Sequence, residues 1–181
     1  ANVILVDINS KNNNLEKTLK KKYKTNAKFY CTDISIEKNV LLLKKNILTD
    51  FKKIDGLINN AAYTNIDAIK NSDNISAPFE KFSFQLWKKM LDVNLSGVFN
   101  CCKVFGSQMV KQRKGTIVNI ASIYGIVGND QRIYGNSKIN SPVSYAAAKG
   151  GIIALTRYLA AYWYGKNIRV NTLTPGGVID E

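Results

Sequence analysis

Two tyrosine–lysine pairs in this chain have the spacing that places both side chains on one face of a helix. Tyr145 and Lys149 lie in "SYAAAKGG", and Tyr134 and Lys138 lie in "IYGNSK". Residues four apart are neighbours one helical turn on. A phenol ionises near pH 10, too high for a base at neutral pH. A nearby ammonium favours the phenolate and lowers that value. Either pair is therefore a candidate acid/base for moving a proton at an alcohol or carbonyl. Ser122, which ends "GTIVNIAS", is placed to hydrogen-bond the oxygen of such a substrate and orient it.

The elements that must hold these groups are short apolar runs alternating with helical patterns. "NVILVD" (2–7), "KFYCTD" (28–33), "IDGLINNAA" (54–62), "GTIVNIAS" (115–122) and "IRVNTLTPGG" (168–177) predict strands. "NNLEKTLKKKY" and residues 34–51, 83–113 and 144–165 predict helices, the last two long. The polar stretch "GNDQRIYGNSKINSP" (128–142) predicts a loop. This order implies an α/β fold, a Rossmann-type doubly wound parallel sheet with helices on both faces. The strands are apolar throughout, as strands buried on both sides should be. No linker or repeat divides residues 1–181, which read as a single dinucleotide-binding domain.

Ligands of doubly wound sheets bind outside the carboxyl ends of the strands. Those ends carry Asp7, Asp33, the run Asn60–Ala61–Ala62, Ser122, and Pro175–Gly176–Gly177, and the long helices add Asn94, Tyr145 and Lys149. Each residue alone has an ordinary reading. An Asp after a strand often caps a helix, and a Ser there is usually a turn residue. Their joint placement on one edge is the signal.

Composition narrows the classes. The chain of 181 residues has a net charge of +13, no histidine and three cysteines, two of them adjacent. Without His or a CxxC pair, a structural zinc site is not expected. Cys31, Cys101 and Cys102 form no disulfide framework and read as buried, reduced thiols of a cytoplasmic protein. No run is long and apolar enough to span a membrane. The positive charge is spread as Lys on helix faces without aromatic–basic interleaving, so no nucleic-acid partner is expected.

The set "DGLINNAA", "DVNLSGVF", "GTIVNIAS", "SYAAAKGG" and "IRVNTLTPGG" resembles the short-chain dehydrogenase/reductase family, in order and over nearly the whole chain. The resemblance implies an oxidoreductase that interconverts an alcohol and a carbonyl with NAD or NADP. It makes Tyr145 the general acid/base. Lys149 lowers its pKa and holds the nicotinamide ribose, Ser122 orients the substrate oxygen, and Asn94 holds a proton-relay water. Asn60, Ala61 and Ala62 line the cofactor, with Ala62 where the family usually has Gly. Asp33 contacts the adenine, and Pro175, Gly176 and Val178 approach the nicotinamide. Asp7 at a strand end hydrogen-bonds the ribose 2′-hydroxyl and repels a 2′-phosphate, which favours NAD, although the nearby Lys11 could accept a phosphate.

The family's Ser-to-Tyr spacing favours Tyr134 as the acid/base. Helix propensity favours Tyr145, since "YGNSK" holds poor helix formers and "YAAAK" nearly ideal ones. So does the interval to Pro175. Residues 128–142 then read as an insertion above the site. This loop is similar to that of members associated with bacterial surface-sugar and flagellin-glycan biosynthesis, which implies a sugar or polyol substrate. A 3-oxoacyl-acyl-carrier-protein reductase is the alternative, and a non-catalytic cofactor-binding or scaffold protein is the alternative of another class. The resemblance also implies a homodimer or homotetramer built on the two long helices. It places a first strand with a Gly-rich phosphate turn before Asp7 and a further strand after "PGGVIDE". The 181 residues therefore read as part of a longer chain, and this span alone is expected to bind dinucleotide weakly or not at all.

Overall fold

The structure, a computed structural model, describes residues 1–10, 14–64, 68, 73–137 and 139–177. The elements follow the expected alternation. They are β1 (Val3–Asp7), α1 (Asn14–Tyr23), β2 (Ala27–Cys31), α2 (Glu37–Phe51), β3 (Gly56–Asn59), α3 (Phe84–Leu91), α4 (Val98–Gln112), β4 (Gly115–Ile120), α5 (Val143–Tyr162) and β5 (Ile168–Leu173). All strand pairs are parallel. β1 pairs with β2, Val3 opposite Ala27 through Asp7 opposite Cys31. β4 lies between β3 and β5, with Asn59 opposite Asn119 and Ile120 opposite Leu173. The described strands thus divide into a two-stranded and a three-stranded sheet. Parallel pairing aligns the carboxyl ends within each sheet, so Asp7 and Asp33 follow one such edge and Asn60, Ser122 and Pro175 the other.

Apolar spacing explains the helices' seating. α2 buries Val40, Leu43 and Ile47, and α4 buries Val98, Cys101, Cys102, Phe105 and Met109. These i, i+3, i+4, i+7 stripes turn toward one cluster with Ile117 of β4, Ile152 of α5 and Val170 of β5. A second cluster joins Tyr63, Ala68, Ile75, Leu86 and Met90. Ser83 caps α3 by accepting from the Leu86 amide at 3.4 Å.

Three expectations are corrected. The helix over 83–113 is not one regular α-helix: between α3 and α4 the chain makes a π-turn over Asp92–Gly97. The strands are not buried on both faces throughout. Ile58 of β3 is 69% exposed, because one side of the three-stranded sheet is uncovered by described residues. Finally, Cys31 is exposed rather than buried, since it ends β2 where its thiol donates to the Ile8 carbonyl at 3.3 Å.

Gly106 sets how closely α4 approaches the end of α5. A Cβ there would lie 2.2 Å from the Trp163 ring. Gly106→Val is expected to destabilise by about 1–3 kcal/mol through overpacking. At this length each kcal/mol lowers Tm by about 2–4 °C. Thermal unfolding followed by circular dichroism checks this, and an unchanged Tm would mean that Trp163 swings aside.

Candidate active site

α5 carries Tyr145 in its first turn and Lys149 one turn later. Lys149 is 6% exposed. Its ammonium donates to the Ile120 carbonyl at the end of β4, at 2.7 Å, and lies 5.5 Å from the centre of the Tyr145 ring. Burial holds the Lys149 ammonium below the usual lysine value. It is a charge kept in a dry place, facing a phenol.

Ser122 follows β4 and is also buried, at 6%. It caps a 3₁₀ turn over Ile123–Gly125, and its hydroxyl accepts from the Tyr124 amide at 3.3 Å. That turn lies directly on α5. A Cβ at Gly125 would come within 2.6–2.8 Å of the backbone of Lys149 and Gly150, so only glycine allows the approach. On the other side the Ile123 amide donates to the Pro175 carbonyl at 3.1 Å. The Ser122 turn is therefore held between α5 and the loop after β5. This brings Ser122, Tyr145, Lys149, Pro175 and Gly176 to one edge.

Of the rival pair, only Tyr134 is described. Tyr134 ends a separate 3₁₀ turn over Gln131–Tyr134, followed by Gly135 at φ +50°. It is not on a helix, and Lys138 lies outside the described residues, as do Lys11 and Val178.

A family model described as "short chain dehydrogenase" matches residues 1–179. The chain belongs to the short-chain dehydrogenase family. A D-threitol dehydrogenase of Mycolicibacterium smegmatis is 32% identical over 152 residues, 84% of this chain and 51% of that protein. A 3-oxoacyl-acyl-carrier-protein reductase of Staphylococcus epidermidis is 33% identical over 76% of this chain and 48% of its own. An NAD+-bound xylitol dehydrogenase superposes with a TM-score of 0.83 at 31% identity, covering 97% of this chain and 60% of the other. The chain thus spans about half the length of the curated relatives it matches.

The other strand-end residues singled out from the sequence follow β1, β2 and β3. The Asp7 carboxylate accepts from the Asn9 amide at 2.7 Å, which orients it at the end of β1. Asp33 accepts from both the amide and the hydroxyl of Ser35, at 2.9 and 2.7 Å. It lines a cavity of about 290 Å³ with Tyr30, Thr32, Asn39 and Leu43. Asn60 and Ala61 are exposed after β3, and Ala62 is half-buried. These groups fit a dinucleotide: a carboxylate for the ribose, a cavity beside Asp33 for the adenine, and an open turn leading toward Ser122. No cluster of three or more His, Cys, Asp or Glu that could hold a metal occurs among the described residues.

Asn94 sits in the π-turn and is 1% exposed. Its carbonyl accepts from the Tyr63 amide at 2.6 Å, and its amide donates to the Tyr63 carbonyl at 3.3 Å. The side chain thus splints the turn that follows Asn60–Ala62. π-turns recur at functional positions because they re-aim backbone and side chains.

Several supporting residues escaped the sequence reading. Asn59 donates to Asn119 at 2.8 Å, and Asn119 donates to Thr156 at 2.9 Å. Thr156 in turn donates to the Ile152 carbonyl at 2.8 Å. This buried chain links β3, β4 and α5. The available signal was an Asn inside each of two apolar strands, at the same register position. Burial pushes the Cys101 thiol up to about 12 and the Cys102 thiol up to about 11, so neither is a nucleophile at neutral pH.

The Tyr63 ring is clamped as well. Its hydroxyl donates to Asp73, and Lys89 pairs with Asp73 at 2.8 Å while lying 4.7 Å from the ring centre. The Lys89 ammonium first, then the Tyr63 hydroxyl, hold the Asp73 carboxyl below its ordinary 3.8. A carboxyl depressed on folding stabilises the protein above its unfolded value, and that stability is lost as pH falls through the folded value. Asp73→Asn is therefore expected to make the acid limb of the stability curve shallower below about pH 4. Urea unfolding across the acid range checks this. A limb as steep as in the parent would show that the pair contributes nothing.

Proposed function

We propose that the protein is an NAD(P)-dependent oxidoreductase that interconverts an alcohol and a carbonyl, with NAD preferred and a sugar or polyol as substrate. The observation that carries this is the meeting of Tyr145, the buried Lys149 ammonium and Ser122 where β4 ends. A nicotinamide, when bound, supplies the acceptor or donor of the hydride at the carbinol carbon. The chain's own residues handle the proton. In the oxidative direction Tyr145 Oη takes the hydroxyl proton while Lys149 supplies positive charge beside the phenol. Ser122 Oγ hydrogen-bonds the substrate oxygen and fixes it toward Tyr145. Asp7 and Asp33 bind the adenosine half, and Asn60, Ala61, Ala62, Pro175, Gly176 and Val178 line the path to the nicotinamide. Asn94 serves this path by holding the Tyr63 turn, with a relay water as its second role.

Support for NAD comes from the oriented Asp7 carboxylate, which a 2′-phosphate would have to approach. Support for a polyol comes from the similar D-threitol and xylitol dehydrogenases and from the polar 128–142 loop, on which the surface-sugar reading rests. One observation favours the 3-oxoacyl-acyl-carrier-protein reductase instead. Ile126 and Val127, next to the Ser122 turn, are 65% and 56% exposed and would suit an acyl chain.

The proposed partner is a second copy of the chain. α4 and α5 present a groove of about 660 Å³ lined by Phe99, Val110, Leu155, Tyr158 and Tyr162. Tyr158 and Tyr162 are stacked at 5.6 Å, and both are more than 60% exposed. Free thiols support a cytoplasmic location, and no described helix is long and apolar enough to cross a membrane.

Titration of NADH and NADPH into the full-length protein, read by nicotinamide fluorescence, tests the cofactor. NADH is expected to bind more tightly, and Asp7→Ala to narrow that preference. Tighter NADPH binding by the parent would overturn the role of Asp7. In the same protein Tyr145→Phe is expected to keep cofactor affinity and lose about 10²–10⁴ in kcat. A variant as active as the parent would remove Tyr145 from the chemistry.

A further inference from the structure

The 128–142 loop carries a second phenol, that of Tyr134, and is tied to the start of α5. Its base is closed by hydrogen bonds that reach Ser141, two residues before the start of α5 at Val143. Gln131 Oε1 accepts from the Ser141 amide at 2.8 Å, and Gln131 Nε2 donates to the Ser141 carbonyl at 3.3 Å. Asn129 donates to the Ser141 hydroxyl. Gln131 is also the first residue of the 3₁₀ turn that ends at Tyr134. That turn is thereby anchored to the first turn of α5, where the Tyr145 amide donates to the Pro142 carbonyl at 3.0 Å.

A third tyrosine arrives from the opposite side. Tyr124 belongs to the Ser122 turn, which the close approach of Gly125 pins to Lys149 and Gly150. Tyr124 and Tyr134 are both half-buried. Their phenols interact, and Tyr124 also feels Asp130 and Tyr145; burial first, then these neighbours, raise the Tyr124 phenol above its ordinary value. Tyr124, in the Ser122 turn, thus interacts with both other phenols. The acid/base role needs one. Each of the other two phenols can donate one hydrogen bond and accept others.

We infer that Tyr134, together with Tyr124, is a specificity-determining residue that hydrogen-bonds a hydroxyl on the carbon next to the reacting one and so selects vicinal diols over simple alcohols. The inference rests on the reading of Tyr145 as the acid/base. A site built to bond a substrate hydroxyl discriminates against the analogue without it, because its own polar groups are then left unpaired. The linked pair has one hydroxyl that can both accept from and donate to a diol. Tyr134 comes from the 128–142 loop, apart from the residues that carry the proton transfer.

The matched probes 2,3-butanediol and 2-butanol, which differ by that one hydroxyl, test the inference in the full-length protein with NAD. The parent is expected to prefer the diol in kcat/KM. Tyr134→Phe is expected to shrink that preference about tenfold, the worth of one hydrogen bond to a neutral group, through KM rather than kcat. Tyr124→Phe is expected to act in the same direction. The double variant should lose no more than the larger single one if the hydroxyls act as a unit. Thermal unfolding of each variant separates lost recognition from lost folding. Equal losses on both probes, or an undiminished diol preference in both single variants, would overturn the tyrosine pair while leaving the oxidoreductase reading intact. A parent protein that oxidises neither probe would overturn this inference. If xylitol, D-threitol and acetoacetyl thioesters also fail, the oxidoreductase reading falls with it.

Discussion

A buried ammonium is costly unless its hydrogen bonds are met, and the way Lys149 is met organises the site. Its bond to the Ile120 carbonyl ties α5 to the carboxyl end of β4. Once that contact exists, the rotation of α5 about its axis is fixed, and so is the side on which Tyr145 emerges. The Ser122 turn must then fit into the remaining space above Lys149, which is why Gly125 approaches the helix backbone so closely. The positions of Tyr145, Lys149 and Ser122 are consequences of one seating.

The second layer repeats the pattern without charge. Asn59, Asn119 and Thr156 form a buried polar chain across β3, β4 and α5. Each member is worthwhile only if the others stand in register, since an unpaired buried amide costs more than its bond contributes. The chain therefore penalises any slip of β3 against β4 or of α5 along the sheet. It lies beneath Ser122 and Lys149 and holds their spacing from below. Asn94 does the same service laterally through the Tyr63 backbone.

Much of this was legible from residue types. The β/α alternation came from apolar runs bounded by polar helix faces, and the placement of Asp7, Asp33 and Ser122 after the carboxyl ends of parallel strands followed from that alternation. That Tyr145 lies on an α-helix and Tyr134 does not was legible too, because Gly135 and Asn136 oppose a helix where three alanines favour one. What was hidden depended on partners distant in sequence. Nothing local announces that Asn94 bonds Tyr63, that Gly125 meets Lys149, or that Cys31 ends on the surface while Cys101 and Cys102 do not. The π-turn was hidden for another reason, since "DVNLSGVF" has unremarkable helix propensity and its extra residue is a matter of packing.

That π-turn has a geometric consequence for the whole helix. An α-helix advances about 100° per residue, so one added residue rotates everything after it by about that angle. Before the turn, Leu86 and Met90 face the small cluster around Tyr63 and Ile75; after it, Val98, Cys101 and Phe105 face the main cluster. At about 100° per residue a regular helix would set Val98, Cys101 and Phe105 roughly 70° round from Leu86 and Met90, and the added residue takes up that offset. The turn is a phase corrector that keeps the stripes of both clusters on one side of the rod, with Asn94 at the joint where the phase changes.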